Sequence, residues 1–561
     1  MNRSSRVKVA LTRRVKSTAL MIALVLGSVD WASSDWASSL RADEATPHGT
    51  FDTGSRQLLF AFDDQSIPWI RGVELKMRKP HKHPGNPIIA RGTEGQPDSK
   101  RAYKPSVLRQ GKHWRMWYGA SDKTAHRIAY AESDDGLNWR KPSLGLVEYD
   151  GHRDNNLVDA QPGMGTVTVI YDPDAPAESR YVMAGENFAW WGSGEGWSLA
   201  GPSITRIDTS PDGLHWTPVR NGPGLIKPQN ETGTIYKFRG LYHVGGHQIS
   251  PLLRLPLQEH ALGGYLGPRT FVVWRSPRLD RWPIEYTRAF AKPMRSSSPE
   301  RREWDREEVH LGAAVTPTGG VCLGIYGQWH HPLGRKVSQR EIGDVRQVEG
   351  GYQTRGRVEY FGPQVSIDLG LILSNDGLHF REPAPGFHLI KRDQELTWDR
   401  DFRDNEDQDN FLLMQGSIVN TEDRTFVFYG ATTPGGNTGP VMANIGVATL
   451  PRDRFACLQM IPGAPGGGYF VTRALTLESG GQLFANVDVP NGSSLRFSLV
   501  DEHGLETLEG YGFDDASVPL TSGLAIAVRW RDRPALPRGI PFRIRAHLEG
   551  QAKMYALTLG S

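Results

Sequence analysis

Ser133-Asp134-Asp135-Gly136-Leu137-Asn138-Trp139 spells a tight turn, and the chain repeats it. It returns as Ser210-Pro211-Asp212-Gly213-Leu214-His215-Trp216 and as Ser374-Asn375-Asp376-Gly377-Leu378-His379-Phe380. A weaker copy, Ser276-Pro277-Arg278-Leu279-Asp280-Arg281-Trp282, lies between them. Asp-Gly favours a tight turn because glycine tolerates positive φ. The aromatic residue three positions later can then anchor the outgoing strand in an apolar layer. The copies end units of roughly 70–95 residues, and repetition of a four-stranded unit at about this scale suggests a β-propeller.

Working outward, the runs between the turns are short and rich in Val, Ile, Tyr, Phe and Trp, as in His113–Tyr118 and Thr425–Tyr429. Several alternate apolar and polar residues, the period of a half-buried strand, and almost no stretch has the period of an amphipathic helix. The expected class is all-β. Five paired strand starts recur: Pro105–Leu108 before Trp114–Tyr118, Val167–Ile170 before Arg180–Met183, Thr234–Phe238 before Leu241–Val244, Ala313–Val315 before Cys322–Tyr326, and Gly416–Val419 before Thr425–Tyr429. They predict a five-bladed β-propeller over residues 43–461. The Gly/Pro stretch Pro462–Gly468 then closes it, and the alternating pattern of 469–561 predicts a small C-terminal β-sandwich.

Residues 1–42 read as an export signal. A basic region ends at Lys16, and Ala19–Leu26 is an apolar core far below the ~20 residues that span a bilayer. Cleavage is expected, after Ala42 or nearer Gly27, giving a periplasmic or extracellular protein without a membrane anchor. This segment also distorts the net charge of +3: it holds seven of the 65 Lys and Arg but two of the 62 Asp and Glu, leaving the remainder at −2. A near-neutral chain with no basic stripe argues against nucleic acid as partner. Two cysteines, Cys322 and Cys457, make no disulfide framework. A monomer is expected.

The turns, the five strand starts and the terminal sandwich resemble the furanosidase-type propellers of glycoside hydrolase families 43 and 32. The likeness extends to family-32-like secreted bacterial proteins through Lys141–Tyr149 and Ile445–Phe455, and covers roughly residues 80–561. It implies three carboxylates on the innermost strands of the first three blades, sharing the work of base or nucleophile, pKa tuning and general acid. Glycoside cleavage needs that division because the leaving oxygen must be protonated while the opposite face is attacked.

The third blade matches. Glu231-Thr232-Gly233-Thr234-Ile235-Tyr236-Lys237, followed by Gly240-Leu241-Tyr242, looks like the family-43 acid phrase, which makes Glu231 the candidate general acid. The other positions depart from the pattern. Lys104-Pro105-Ser106-Val107 puts an ammonium where the family has its base, and the tuning carboxylate falls on Thr166. By register the floor of the central funnel reads Lys104, Thr166, Glu231, Gly312 and Gln415. A base must then come from elsewhere: Asp409, the most attractive, Asp98, Glu74 and Glu186 are the carboxylates that could reach the funnel, each more often structural on its own, with Asp409 and Asp98 taken as the candidates and Asp172 read as a turn former. Lys104, Thr166 and Gln415 are expected to line the ligand site with His247 and with Trp190 and Trp329, the two tryptophans placed in loops where a sugar face could stack.

The acidic run 399–409 could hold a structural Ca²⁺, but it lacks an EF-hand glycine and closing glutamate and reads as a solvated loop. No histidine spacing suits a catalytic metal, so no cofactor is expected. The expected activity is hydrolysis of a poly- or oligosaccharide by general acid/base chemistry. Two alternatives stay open: a non-catalytic glycan-binding propeller that has lost two of three carboxylates, and a six-bladed sialidase-like hydrolase.

Overall fold

The computed structural model describes residues 56–560 except 123–124, 162, 188–204, 221–230, 250–268, 293–306, 331–344, 349–350, 355–365, 393–411, 433–442, 517–519, 532 and 534. The proposed export signal, Trp190, Asp409 and the acidic run 399–409 lie outside the described residues. What is described is all-β, with two single-turn 3₁₀ segments at Ala177–Ser179 and Phe513–Asp515.

Among the described residues five antiparallel blades surround a common axis. Blade 1 runs outward through Arg101–Gln110, His113–Ser121, His126–Ser133 and Trp139–Arg140. Blade 2 uses Met164–Tyr171, Tyr181–Asn187, Thr205–Ser210 and Thr217–Pro218. Blade 3 uses Glu231–Phe238, Leu241–Ile249, Arg269–Ser276 and Thr287–Phe290. Blade 4 starts with Glu307–Thr318, Val321–His330 and Ser366–Ser374, and blade 5 with Leu412–Asn420, Arg424–Thr432 and Ala443–Pro451. The outermost strand of blade 5 comes from the other end of the sequence, His81–Lys82, so the ring is closed by a non-contiguous strand.

The repeated turns do what their residues predict. In each full copy the first serine hydroxyl accepts the glycine N–H, and the aspartate Oδ1 accepts the N–H groups of the two residues after the glycine. Gly213, at φ +79°, shows why glycine is needed, since a Cβ there would meet the Trp117 ring at 2.7 Å. The turn aromatics lie between blades: Trp216 is 6.5 Å from Trp117, Phe380 is 5.4 Å from Phe271, and Trp139 is 6.0 Å from Phe428. Each such ring removes ~150–250 Å² from water, on the order of 4–6 kcal/mol at ~25 cal/mol per Å².

Around the axis the inner strands are stitched in a closed circle. The Val107 N–H donates to Ser417 Oγ (2.9 Å) and the Val169 N–H to Ser106 Oγ (2.8 Å). Thr168 Oγ1 donates to the Gly233 carbonyl (3.2 Å), the Val315 N–H to Thr234 Oγ1 (3.2 Å), and Gln415 Nε2 to the Leu311 carbonyl (3.1 Å). Bulged inner strands cannot satisfy every backbone group within their own sheet, and these side chains supply the missing partners.

The sandwich differs from the expected contiguous 469–561. One sheet pairs Gly523–Val528, Gln482–Asp488, Lys553–Gly560, Ala456–Met460 and Val73–Met77, with Gln57–Phe60 also on Lys553–Gly560. The other pairs Trp69–Arg71, Gly468–Val471, Phe542–Glu549 and Ser494–Asp501. Residues 57–77, assigned to the propeller by sequence, thus complete the sandwich. Strands of three to five residues carry too little period to be placed when their partners lie hundreds of positions away. Gln57–Phe60 is buried on both faces: Leu59 joins the sandwich core, while Leu58 and Phe60 pack with Leu323, Leu371 and Val427 of blades 4 and 5.

Candidate functional site

The inner strands carry the candidate site because each is bulged near its first residues. Cross-strand register shifts between Tyr103 and Ser106, between Thr232 and Thr234, between His310 and Ala313, and between Gln415 and Ile418; in blade 2 the shift is Ala184/Glu186 on the second strand, opposite Thr168 and Gly165. Within these bulges Lys104 and Thr166 both have φ +46°, and Leu311 has φ +54°. A non-glycine residue in that region costs on the order of 1–3 kcal/mol and persists only where its surroundings over-determine it.

The bulges correct the register read from sequence. Glu231 and Gln415 are ladder residues, paired with His247 and Tyr429, whereas Lys104, Thr166 and Gly312 fall inside bulges. Two positions along the second strand from the first pair beyond the bulge stand Gly119, Glu186, His247 and Tyr429 in blades 1, 2, 3 and 5. Their partners are Tyr103, Gly165, Glu231 and Gln415. One level of the ring therefore bears two acidic residues on adjacent blades, Glu231 and Glu186. Sequence reading names Glu186 among several carboxylates that could reach the funnel, without singling it out. Only the cross-strand pairing brings it level with Glu231.

Tyr103, at the same level, has an unusual setting. Its hydroxyl lies 2.9 Å from His126 Nδ1, and its ring lies where a Cβ on Gly119 would meet it at 2.6 Å. Burial holds the phenol well above its ordinary range; Arg101 pulls it down, and the charge of Glu186 pushes it further up. Burial, with Arg101, lowers His126 to about 4. The imidazole is thus neutral near pH 7 and shares one hydrogen bond with the phenol. Glu186 itself is buried.

On blade 3, buried His247 accepts the Leu311 N–H at Nδ1 (2.9 Å), which places its ring hydrogen on Nε2. An aromatic series follows: His247 and His310 have centroids 6.1 Å apart, His310 and Trp329 5.0 Å, and the Arg269 guanidinium lies 4.7 Å over the Trp329 ring. Trp329 is in the strand Val321–His330 and buried, not in a loop; the polar neighbours Gln328 and His330 disguised the strand.

The remaining expected residues have evident structural duties. Lys104 is buried, and its ammonium donates to the Thr166 carbonyl (2.9 Å), tying blade 1 to blade 2. Gln415 is fully buried, with Nε2 on the His310 and Leu311 carbonyls. Asp98 is buried, receives the Tyr118 hydroxyl (3.0 Å) and pairs with Lys141 (2.6 Å) beyond the outermost strand of its blade. Asp172 is more than a turn former. It accepts Lys237 Nζ at 2.8 and 3.0 Å and the Tyr242 hydroxyl, so the Lys and Tyr of the acid-like phrase clasp blade 3 to blade 2. Burial opposes charge on Asp172, but these donors outweigh it and hold the carboxyl low. Among the described residues no cluster of three His, Cys, Asp or Glu is placed to hold a metal.

No family profile matches the chain, and no curated protein is similar to it in sequence. Solved structures are similar at low identity. One, from work on family-130 mannoside phosphorylases and hydrolases that target β-1,2-mannosidic linkages, has 16% identity and TM-score 0.39, covering 67% of this chain and 94% of its own. A glycosyl hydrolase from Bacteroides ovatus has 14% identity and TM-score 0.38, covering 66% and 93%. A thermostable family-43 glycoside hydrolase has 12% identity and TM-score 0.35, covering 65% and 91%. Likeness at this level carries no chemistry, and the functional reading rests on this chain's own residues.

Proposed function

We propose that the protein is an exported, glycoside-hydrolase-like propeller acting on a poly- or oligosaccharide at the end of the inner ring where the bulges lie. Glu231 protonates the leaving oxygen, and Glu186 serves as the second carboxylate in place of the one that Lys104 replaces. The observation that carries this reading is the shared level of Glu231 and Glu186 on adjacent blades. Two carboxyl groups flanking one bond are what such hydrolysis requires, at ~5–5.5 Å for retention or ~6.5–9.5 Å for inversion.

The test is a screen of the mature chain against polysaccharides and aryl furanosides and pyranosides. Glu231→Gln and Glu186→Gln should each lower kcat by at least ~10²-fold, the scale of a lost general acid or base, whereas Asp98→Asn should change it little. Full activity in Glu231→Gln would overturn the assignment. One observation favours the second reading, a glycan-binding propeller without turnover: the buried ammonium of Lys104, committed to the Thr166 carbonyl where the family resemblance expects a base. Saturable glycan binding with no product from any substrate would establish that reading instead.

A further inference from the structure

The outer face of the sandwich sheet that begins with Trp69–Arg71 carries a second constellation, far in sequence from the blade residues discussed above. Strand residues alternate between faces. Phe470, Ala546 and Phe497 point into the sandwich core, so their neighbours Tyr469, His547 and Arg496 point out. Register places Arg71, Tyr469, His547 and Arg496 in one row across all four strands, with Trp69, Val471, Arg545 and Ser498 in the next.

The rows are stacked. The Arg71 guanidinium lies 4.9 Å from the Tyr469 ring, Tyr469 stacks on His547 at 4.4 Å and 20°, and His547 Nδ1 is 3.2 Å from Arg496. The Arg543 guanidinium lies 4.4 Å over Trp69. This face is open at its edge strand, where Trp69 is 50% exposed. Its carboxylates sit at two corners: Asp514 and Glu549 beside Arg496 and His547, and Asp501 and Glu502 beside Arg543. Among the described residues Arg71 and Arg545 have no ion pair, so the corner with Trp69 and Tyr469 is cationic.

We propose that this face is a polysaccharide-binding site for chains bearing carboxylates, that is, uronate-containing glycans. An aromatic ring takes the apolar C–H face of a sugar, and an adjoining planar guanidinium takes a carboxylate through two parallel hydrogen bonds. Trp69 and Tyr469 with Arg71 supply that combination on a rigid strand edge, while Arg543, bonded to the Thr472 carbonyl, braces the Trp69 ring. The site stands independently of the hydrolytic reading and would tether the protein to its polymer whether or not the propeller turns it over.

The test is affinity electrophoresis of the full mature chain in gels containing polygalacturonate, with pullulan as the neutral polymer. Polygalacturonate should retard the protein, added NaCl should weaken the effect, and pullulan should not retard it. Trp69→Ala and Arg71→Ala should each raise the dissociation constant about tenfold, the scale of one lost stacked or charge-assisted contact. Trp69→Ala should keep the wild-type melting transition, since half of that side chain is already in water. Glu231→Gln should bind as the wild type does, so hydrolysis can fail while this site stands, and the reverse. Equal retardation by both polymers, unchanged retardation in the two variants, or a concentration-dependent dimer that Trp69→Ala abolishes would overturn the proposal.

Discussion

Lys104 combines burial, a positive φ and a single long side chain whose charge is directed at a carbonyl across a blade seam. A buried ammonium is tolerated only when bonded, so its removal leaves the Thr166 carbonyl short of a donor. Lys104→Met should destabilise the protein by about 1–3 kcal/mol in urea titration. Lys104→Asp, which restores the residue of the family phrase, should cost more than the Met substitution, because it sets a carboxylate against a carbonyl oxygen. It should not raise activity. At this scale much of the site was illegible in sequence. A bulge shifts the cross-strand register by one residue at a place that no residue type marks, so Lys104 and Thr166 looked level with Glu231 while Glu186 and Tyr103 did not. Glu231 itself stood out because its phrase is long enough to align.

The turn is the element that the sequence states most fully, and its chemistry predicts how the fold responds to acid. Burial raises the turn aspartates, but the backbone N–H groups and the neighbouring serine outweigh it, holding Asp135 and Asp376 at about 2 and Asp212 lower still. A carboxylate depressed in the folded state contributes stability above its unfolded value of ~3.9, and that contribution is lost as pH falls towards 2. His126 acts in the same direction at milder acidity. Its folded value of about 4 lies below the unfolded ~6.5, so between those values the unfolded chain takes up the proton first. Denaturation midpoints should therefore decline in two stages, below pH ~6.5 and again below ~4. His126→Gln should flatten the first stage only. Asp376→Ala should lower stability by about 1–2 kcal/mol, as loss of a capping carboxylate does, while Asp64→Ala, on an exposed residue, should not. Blade seams were legible for the same reason as the turns: Trp139, Trp216 and Phe380 mark them at fixed offsets from Asp-Gly.

For the whole molecule, alternation and repetition sufficed to read an all-β chain. What they could not convey is that residues 57–89 serve both ends of it. Gln57–Phe60 lies between the sandwich and blades 4 and 5, and His81–Lys82 closes blade 5. These residues share with Phe455, Ala456 and Ala556 the packing between the two domains, so Phe60→Ala should cost about 3–5 kcal/mol and should do so to both domains at once. Chemical denaturation followed separately by tryptophan fluorescence and far-ultraviolet circular dichroism should show one shifted, coincident transition. Separation into two transitions would mean that the segment is not the coupling element.

That arrangement also sets a clock. During synthesis Gln57–Phe60 and Val73–Met77 emerge early, yet their partners Lys553–Gly560 and Ala456–Met460 are made hundreds of residues later. At ~5–20 residues per second, the first strands wait on the order of half a minute or more before a native partner exists. Until then the sandwich cannot close, and a chain exported as proposed would still lack the folded end that blocks threading through a translocation channel.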